Sequence, residues 1–163
     1  MFNMRFIDFM ENNVEDYFDS SALSMAKNQG SKSRELLIDM SIDDFLRLAE
    51  EGRSFSKESG VDSLLSKGIK FESIPFLGVG FYSGDPLAMK VKSHEGRHRA
   101  RALRKLGFKM MPVKVVHDSI RWGGQLNPNN YDYVDNFPTH FVSEDGSVVV
   151  PFAITREDLN DRF

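Results

Sequence analysis

The side chains best suited to chemistry are concentrated in one short segment, Ser93-His94-Glu95-Gly96-Arg97-His98-Arg99. Arginine and histidine donate hydrogen bonds to phosphate groups, and a carboxylate beside a bound phosphate can hold magnesium or accept a proton. A glycine lets a ligand approach the backbone closely. The segment therefore predicts a phosphate site in which Glu95 and His98 are the candidate catalytic groups and Glu95 the candidate magnesium ligand. The candidate phosphate-binding residues are Ser93, His94, Gly96, Arg97, His98 and Arg99.

A helix is predicted from Glu95 to Leu106, and it places Arg99 on the same stripe as the apolar Leu103. In the first helical turn this arginine points towards the helix N-terminus, where unpaired backbone N–H groups already favour an anion. Such a guanidinium needs a partner. It is expected either to bind a phosphate group or to pair with a carboxylate of its own chain, such as Asp39 or Asp85.

The charge of the chain is unevenly distributed around this helix. Between Met89 and Lys109 eight basic residues are opposed only by Glu95, a net charge of +7, whereas the whole chain of 163 residues has a net charge of -3. A basic element in an acidic body indicates a local anionic ligand more than a general nucleic-acid coat. The arginines outside the central motif are expected to form a solvated helix face.

The elements around the motif alternate between helix and strand. Ser41 is a predicted N-cap between a strand and a helix that ends near Gly52, and Gly107 is a predicted C-cap. Turn residues at 83–86 and 144–147 predict two hairpins. The predicted strands are 35–40, 74–82, 87–91, 110–116, 141–143 and 148–150, and the other predicted helices lie within 1–33, at 60–67 and after Thr155.

This pattern predicts the α+β class, with a small mixed sheet, flanking helices and a C-terminal β-hairpin. Residues 1–33 are predicted to form an N-terminal helical extension and residues 34–163 a single domain. Charged residues make up 28% of the chain and hydrophobic residues 40%, a composition that a disordered chain does not have. The absence of cysteine excludes disulfides and thiolate chemistry. Without an apolar run of about 20 residues or a signal-like start, the protein is expected to be cytoplasmic and free of membrane contacts.

The central segment also resembles a known family. The run from Ser93 to Leu103, followed by Leu106-Gly107 and then by Met111-Pro112-Val113, is similar to the signature of the ParB/sulfiredoxin-like fold. That signature is an acidic-Gly-x-His-Arg-x-Ala loop and helix, a Leu-Gly pair and a strand opening with Ile-Pro-Val. The detailed resemblance covers residues 86–116, with looser agreement back to about residue 35.

The resemblance implies a nucleotide-binding function. In that family the loop holds nucleotide phosphates, and its members include DNA-segregation clamps that bind cytidine triphosphate, sulfiredoxins, free-serine kinases and reported nucleases. It implies Gly96, Arg97, His98 and Arg99 as phosphate binders, a nucleotide as ligand or substrate, and magnesium as a cofactor. Sulfiredoxin activity is excluded because it needs a cysteine in this loop. Nuclease, nucleotide hydrolase and phosphotransferase activities all stay open, as does the oligomeric state.

Two other functions fit the same residues. His94-Glu95-x-x-His98 satisfies the H-E-x-x-H pattern of zinc peptidases, in which two histidines on one helix bind zinc and the glutamate activates water. Gly96 weakens the regular helix that this pattern requires. The basic helix could alternatively contact nucleic acid in a non-enzymatic, DNA-associated regulator, whose affinity would fall steeply with salt.

Overall fold

The computed structural model describes residues 13–27, 35–49, 65–117 and 138–154, and every structural statement below concerns these residues. They form a six-stranded sheet with helices packed against it. The strands are β1 (Glu35–Ser41), β2 (Phe76–Phe81), β3 (Ala88–Glu95), β4 (Met110–His117), β5 (His140–Val142) and β6 (Val149–Pro151). The helices are a 3₁₀ helix (Val14–Tyr17), α1 (Ser20–Lys27), α2 (Ile42–Leu48) and α3 (Arg97–Lys105).

The strand order is β1-β4-β2-β3-β5-β6. Strand β1 is antiparallel to β4, β2 to β3, and β5 to β6, whereas β2 is parallel to β4 and β3 to β5. The sheet is therefore mixed, and the predicted α+β class is confirmed. Both predicted hairpins, β2–β3 and β5–β6, are also confirmed.

The core lies between this sheet and the helices. Alternate residues of β1 are buried, as expected of a strand with one covered face. Ser41 accepts a hydrogen bond from the backbone N–H of Asp44 at 3.3 Å, which confirms the predicted N-cap of α2. The fully buried side chains of α2 and α3, which pack against each other, include Phe45, Leu48, Ala100 and Leu103.

The helix α3 ends as its sequence predicts. Gly107 has a φ of 97°, its N–H donates to Arg104 O at 3.0 Å, and the N–H of Phe108 donates to Leu103 O at 3.2 Å. These two bonds form a Schellman motif, which satisfies the last carbonyl groups of the helix. Strand β4 then begins at Met110, as predicted.

The described part of the N-terminal segment packs on the same core as the sheet. Phe18 is 1% exposed and its ring lies 5.3 Å from that of Phe71. The backbone N–H of Asp19 donates to Phe71 O at 2.7 Å, and that of Phe71 donates to Tyr17 O at 2.9 Å. Residues 13–27 contain the 3₁₀ helix and α1, in agreement with the helices predicted within 1–33, and the division of the chain at residue 33 stays a prediction.

Some element boundaries differ from the predictions or lie beyond the described residues. Helix α2 ends at Leu48, because Ala49 has an extended conformation, so the predicted end near Gly52 is wrong. Most of the predicted helix at 60–67, and the predicted helix after Thr155, lie outside the described residues. Among the described helices none is long and apolar enough to cross a membrane.

Candidate functional site

A single glycine joins strand β3 to helix α3. Sequence analysis predicted a strand ending at Val91 and a loop before the helix, but β3 continues to Glu95. Gly96 has a φ of 116°, which is strained for any residue with a Cβ atom. A Cβ atom there would lie 2.5 Å from Pro75 Cβ and 2.8 Å from Pro75 Cα. The loop predicted before the helix is therefore wrong in extent, since only Gly96 lies between β3 and α3. Both the left-handed backbone and the contact with Pro75 require a glycine at this position.

Three of the predicted site residues lie on strand β3 and pair with strand β2. Ser93 is opposite Gly78, His94 opposite Leu77, and Glu95 opposite Phe76. A Cβ atom at Gly78 would collide with the hydroxyl of Ser93, so the absence of a side chain there makes room for this serine.

Arg99 is anchored by its own chain. Its Nη1 donates to the backbone oxygen of Ser73 at 2.6 Å and also to the Ser73 hydroxyl. Its Nη2 lies 3.8 Å from Glu95 Oε1. Burial lowers the pKa of the Arg99 guanidinium, and the Glu95 carboxylate opposes this shift. Arg99 therefore pairs with groups of its own chain, which is one of the two predicted alternatives. Its partners are Ser73 and Glu95, however, and not Asp39 or Asp85.

The opposite face of α3 lines a cavity. Arg97, Arg101 and Arg104 follow one another at i, i+4 and i+7, so all three lie on one side of the helix, about 190° from Arg99 at 100° per residue. They border a cavity of about 550 Å³ between α2, α3 and the β5–β6 turn, which we call the arginine cavity. Its other lining residues are Leu46, Arg47, Ala49, Ser143, Asp145, Ser147 and Val148.

The turn that closes one side of the arginine cavity is held by a network of hydrogen bonds. Asp145 Oδ1 accepts from the Ser147 hydroxyl at 2.6 Å, the Ser143 hydroxyl at 2.8 Å and the Ser147 backbone N–H at 2.9 Å. The Ser143 hydroxyl also accepts from Val148 N–H at 3.0 Å. The bonds from Ser147, with a smaller contribution from Ser143, lower the pKa of Asp145 to about 2. The carboxylate is therefore ionised at neutral pH.

The charged residues that line the arginine cavity are mostly cationic. Among the described lining residues four arginines are opposed by one carboxylate, that of Asp145, which gives this part of the lining a formal charge of +3. Two of the arginines also reach carboxylates of α2, since Arg104 Nη1 lies 3.3 Å from Asp43 Oδ1 and Arg47 Nη1 lies 3.5 Å from Asp44 Oδ1. Both pairs are at least one-third exposed, and exposed pairs contribute only about 0–1 kcal/mol. An anionic ligand could therefore compete for these guanidinium groups.

The predicted site residues consequently divide into separate groups. Arg97, which is 9% exposed, lines the arginine cavity. Gly96 forms the strand–helix junction, and Arg99 is anchored to Ser73. The remaining four, Ser93, His94, Glu95 and His98, are outside the cavity lining.

Most of the cavity residues were not predicted from the sequence. Arg101 and Arg104 were assigned to a solvated face, although their spacing from Arg97 already placed all three on one side of a helix. Arg47, Ser143, Asp145 and Ser147 come from distant parts of the chain, and no local pattern connects them to the helix.

The histidines do not form the predicted zinc arrangement. His94 lies on strand β3 and His98 on helix α3, separated by the left-handed Gly96, so the premise of two histidines on one helix is wrong. Within the described ranges no three His, Asp or Glu side chains are grouped so that they could hold a metal ion.

His140 has partners that the sequence did not indicate. Its Nε2 lies 2.8 Å from Asp85 Oδ2, and its Nδ1 lies 2.8 Å from the Thr139 hydroxyl. The pair connects β5 to the turn between β2 and β3, which is a structural role.

Comparison of the chain with protein families, curated proteins and solved structures finds no match. We therefore infer the ligand from the side chains of the site.

Proposed function

We propose that this protein binds a phosphate-bearing ligand in the arginine cavity. The observation that supports this most strongly is that four arginines from two helices line one cavity, one of them the buried Arg97. Arginine suits phosphate because its planar fork of donors matches two oxygen atoms at once. A buried guanidinium is also costly to desolvate, and a bound anion would offset that cost.

A nucleotide is the ligand that we favour. The volume of about 550 Å³ is within the range of roughly 300–1,000 Å³ found for small-molecule sites. The proposed relation to the ParB/sulfiredoxin-like fold supports the same class, because that family binds nucleotide phosphates at the start of the helix that corresponds to α3. Arg97 is the first residue of this helix and lines the cavity. Magnesium would accompany the nucleotide as the counterion of its phosphates.

The chemistry that follows binding is proposed only as a class. Phosphoryl transfer and phosphodiester or nucleotide hydrolysis depend mainly on positioning and on charge stabilisation, which clustered arginines provide. Glu95 and His98 stay the candidates for proton transfer that the sequence predicted. A candidate general base must come within hydrogen-bond reach of the reacting group, so their place outside the cavity lining is the main difficulty for that role.

Calorimetric titration with nucleoside triphosphates and magnesium tests the proposal, with Arg97→Ala and Arg99→Ala as a matched pair. Hydrogen bonds to charged groups contribute about 1.5–3 kcal/mol, so Arg97→Ala should weaken binding roughly 10- to 100-fold. Arg99→Ala should bind nearly as tightly as the wild type when assayed well below its unfolding transition. Saturable binding with this difference supports the proposal. No binding of any nucleotide, or equal binding by the Arg97 variant, contradicts it.

Salt dependence separates this function from the DNA-associated alternative. A protein that neutralises many backbone phosphates loses affinity steeply as salt rises. A nucleotide bound in one cavity should show a much shallower dependence. Duplex DNA that binds with a steep salt slope and competes with nucleotide would favour the regulator.

A further inference from the structure

The arginine cavity contains one feature that a purely anion-binding site does not need. Among the described residues that line it, Asp145 is the one carboxylate, opposite four arginines. A carboxylate repels phosphate oxygens, so its presence weakens the binding of a bare anion. The hydrogen bonds of its own turn use Oδ1, which leaves Oδ2 for a donor group of the ligand.

The structure holds this carboxylate in place. Asp145 Oδ1 accepts three hydrogen bonds from Ser143 and Ser147, and Ser143 is itself 3% exposed. The turn is closed further by the N–H of Gly146, which donates to Ser143 O at 2.9 Å with a φ of 79° at the glycine. The negative charge therefore cannot easily swing away when an anion enters. A carboxylate has about four acceptor positions, so three bonds at one oxygen leave capacity for a ligand donor.

We propose that Asp145 determines specificity by accepting a hydrogen bond from a sugar hydroxyl of the ligand. The inference rests on the proposed function and names the ligand class, a phosphate ester with a free hydroxyl next to its phosphate-bearing end. The arginines bind the phosphate groups and Asp145 binds the hydroxyl. The cavity then selects such esters against anions without a donor, which gain nothing from the carboxylate and still experience its repulsion.

The proposal predicts opposite effects of one substitution on two matched ligands. Asp145→Asn keeps the size of the side chain and removes its charge. A ribonucleoside triphosphate should bind about tenfold more weakly to this variant, because a charge-assisted hydrogen bond becomes a neutral one. The dideoxyribonucleoside triphosphate with the same base lacks both free hydroxyls, and it should bind equally well or a few-fold more tightly once the repulsion is removed.

Calorimetry of both ligands with wild type, Asp145→Asn and Glu144→Gln completes the test. Glu144 is the neighbour on the same turn, is exposed like Asp145 and is not among the residues that line the cavity, so its substitution controls for the loss of one charge. The proposal expects wild type and Glu144→Gln to prefer the ribonucleotide about tenfold and Asp145→Asn, which keeps only a neutral acceptor, to lose most of this preference. Equal binding of both ligands to the wild type overturns it, and so does a preference that Asp145→Asn leaves unchanged.

A magnesium-free repeat in the presence of a chelator removes the remaining ambiguity. A hydroxyl preference that needs magnesium would make Asp145 a contact of the ion, which also overturns the proposal. A preference that persists without magnesium supports it. Failure of the proposed function is recognisable separately, because then neither nucleotide binds to the wild type at all.

Discussion

The two faces of helix α3 carry the same residue type in two different settings. Arg99 faces the segment before β2, where the Ser73 carbonyl and hydroxyl and the Glu95 carboxylate take up its donors. Arg97 faces the arginine cavity with Arg101 and Arg104. The side chain of Arg99 is 13% exposed and residue Arg97 is 9% exposed, so both are largely buried.

Burial and charge alone therefore do not distinguish the two arginines, whereas their positions on opposite faces of α3 do. A guanidinium has five N–H donors, and its function depends on what accepts from them. A backbone carbonyl and a hydroxyl of the same chain make Arg99 part of the scaffold. A cavity bordered by three further arginines makes Arg97 a candidate to bind a mobile anion.

The largest effect on stability is expected at Gly96, the residue that sets the orientation of both faces. Gly96→Ala should destabilise the fold by about 2–5 kcal/mol, because the left-handed backbone costs about 1–2 kcal/mol and the overlap with Pro75 adds about 1–3 kcal/mol. Gly107→Ala is the matched control, since Gly107 has a φ of 97° and nothing within 4 Å of its added Cβ. Gly107→Ala should therefore cost only the about 1–2 kcal/mol of the left-handed backbone. Denaturant unfolding measures both, and equal losses would show that the contact with Pro75 does not matter.

The second-largest effect on stability separates the two faces of α3. Arg99→Ala should lower the free energy of unfolding by about 1.5–3 kcal/mol, because the Ser73 acceptors lose a charged donor. Arg104→Ala on the cavity face is the control, and it should cost at most about 1 kcal/mol because its pair with Asp43 is exposed. Arg99→Lys should recover only part of the loss, since an ammonium group lacks the planar fork. A stable Arg99→Ala variant that no longer binds nucleotide would restore the ligand role that the sequence predicted.

Local signals in the sequence predicted the frame of the site well. The Ser41 cap, the Gly107 cap and the β5–β6 turn depend on residues within a few positions of one another, and all three are confirmed. The length of β3 was underestimated because Lys92, Ser93, His94 and Glu95 are polar. Ser93, His94 and Glu95 pair with β2, a long-range contact that a local pattern does not contain, and Lys92 lies at the shift in this register.

The arginine cavity could be predicted only in part for the same reason. The helical spacing of Arg97, Arg101 and Arg104 is local and was available from the sequence. The approach of Arg47 and Asp145 depends on how α2 and the β5–β6 turn pack beside α3, which the strand order decides. For Arg99 the sequence left open a phosphate ligand and a carboxylate of its own chain, and neither alternative included Ser73, which lies 26 positions earlier in the chain.

The smallest effect is expected at the turn on the cavity side, and it depends on pH. The pKa of Asp145 is about 2 in the folded protein and near its ordinary value of 3.8 when the chain unfolds. The folded state therefore favours the ionised form. The stability that this provides is fully present above about pH 4 and is lost as the pH falls towards 2.

Melting curves recorded between roughly pH 5 and pH 2 test this dependence, because this range includes the pKa of Asp145 in both the folded and the unfolded chain. Asp145→Asn should have a lower melting temperature than the wild type at pH 5, and the difference should shrink as the pH approaches 2. The control, Glu144→Gln, should follow the wild-type curve, because Glu144 makes no comparable set of bonds among the described contacts. A constant difference between wild type and Asp145→Asn across this range would mean that the serine network does not depend on the charge of Asp145. In that case the cavity side of α3 would no longer differ from the Arg99 side by a carboxylate that its charge holds in place.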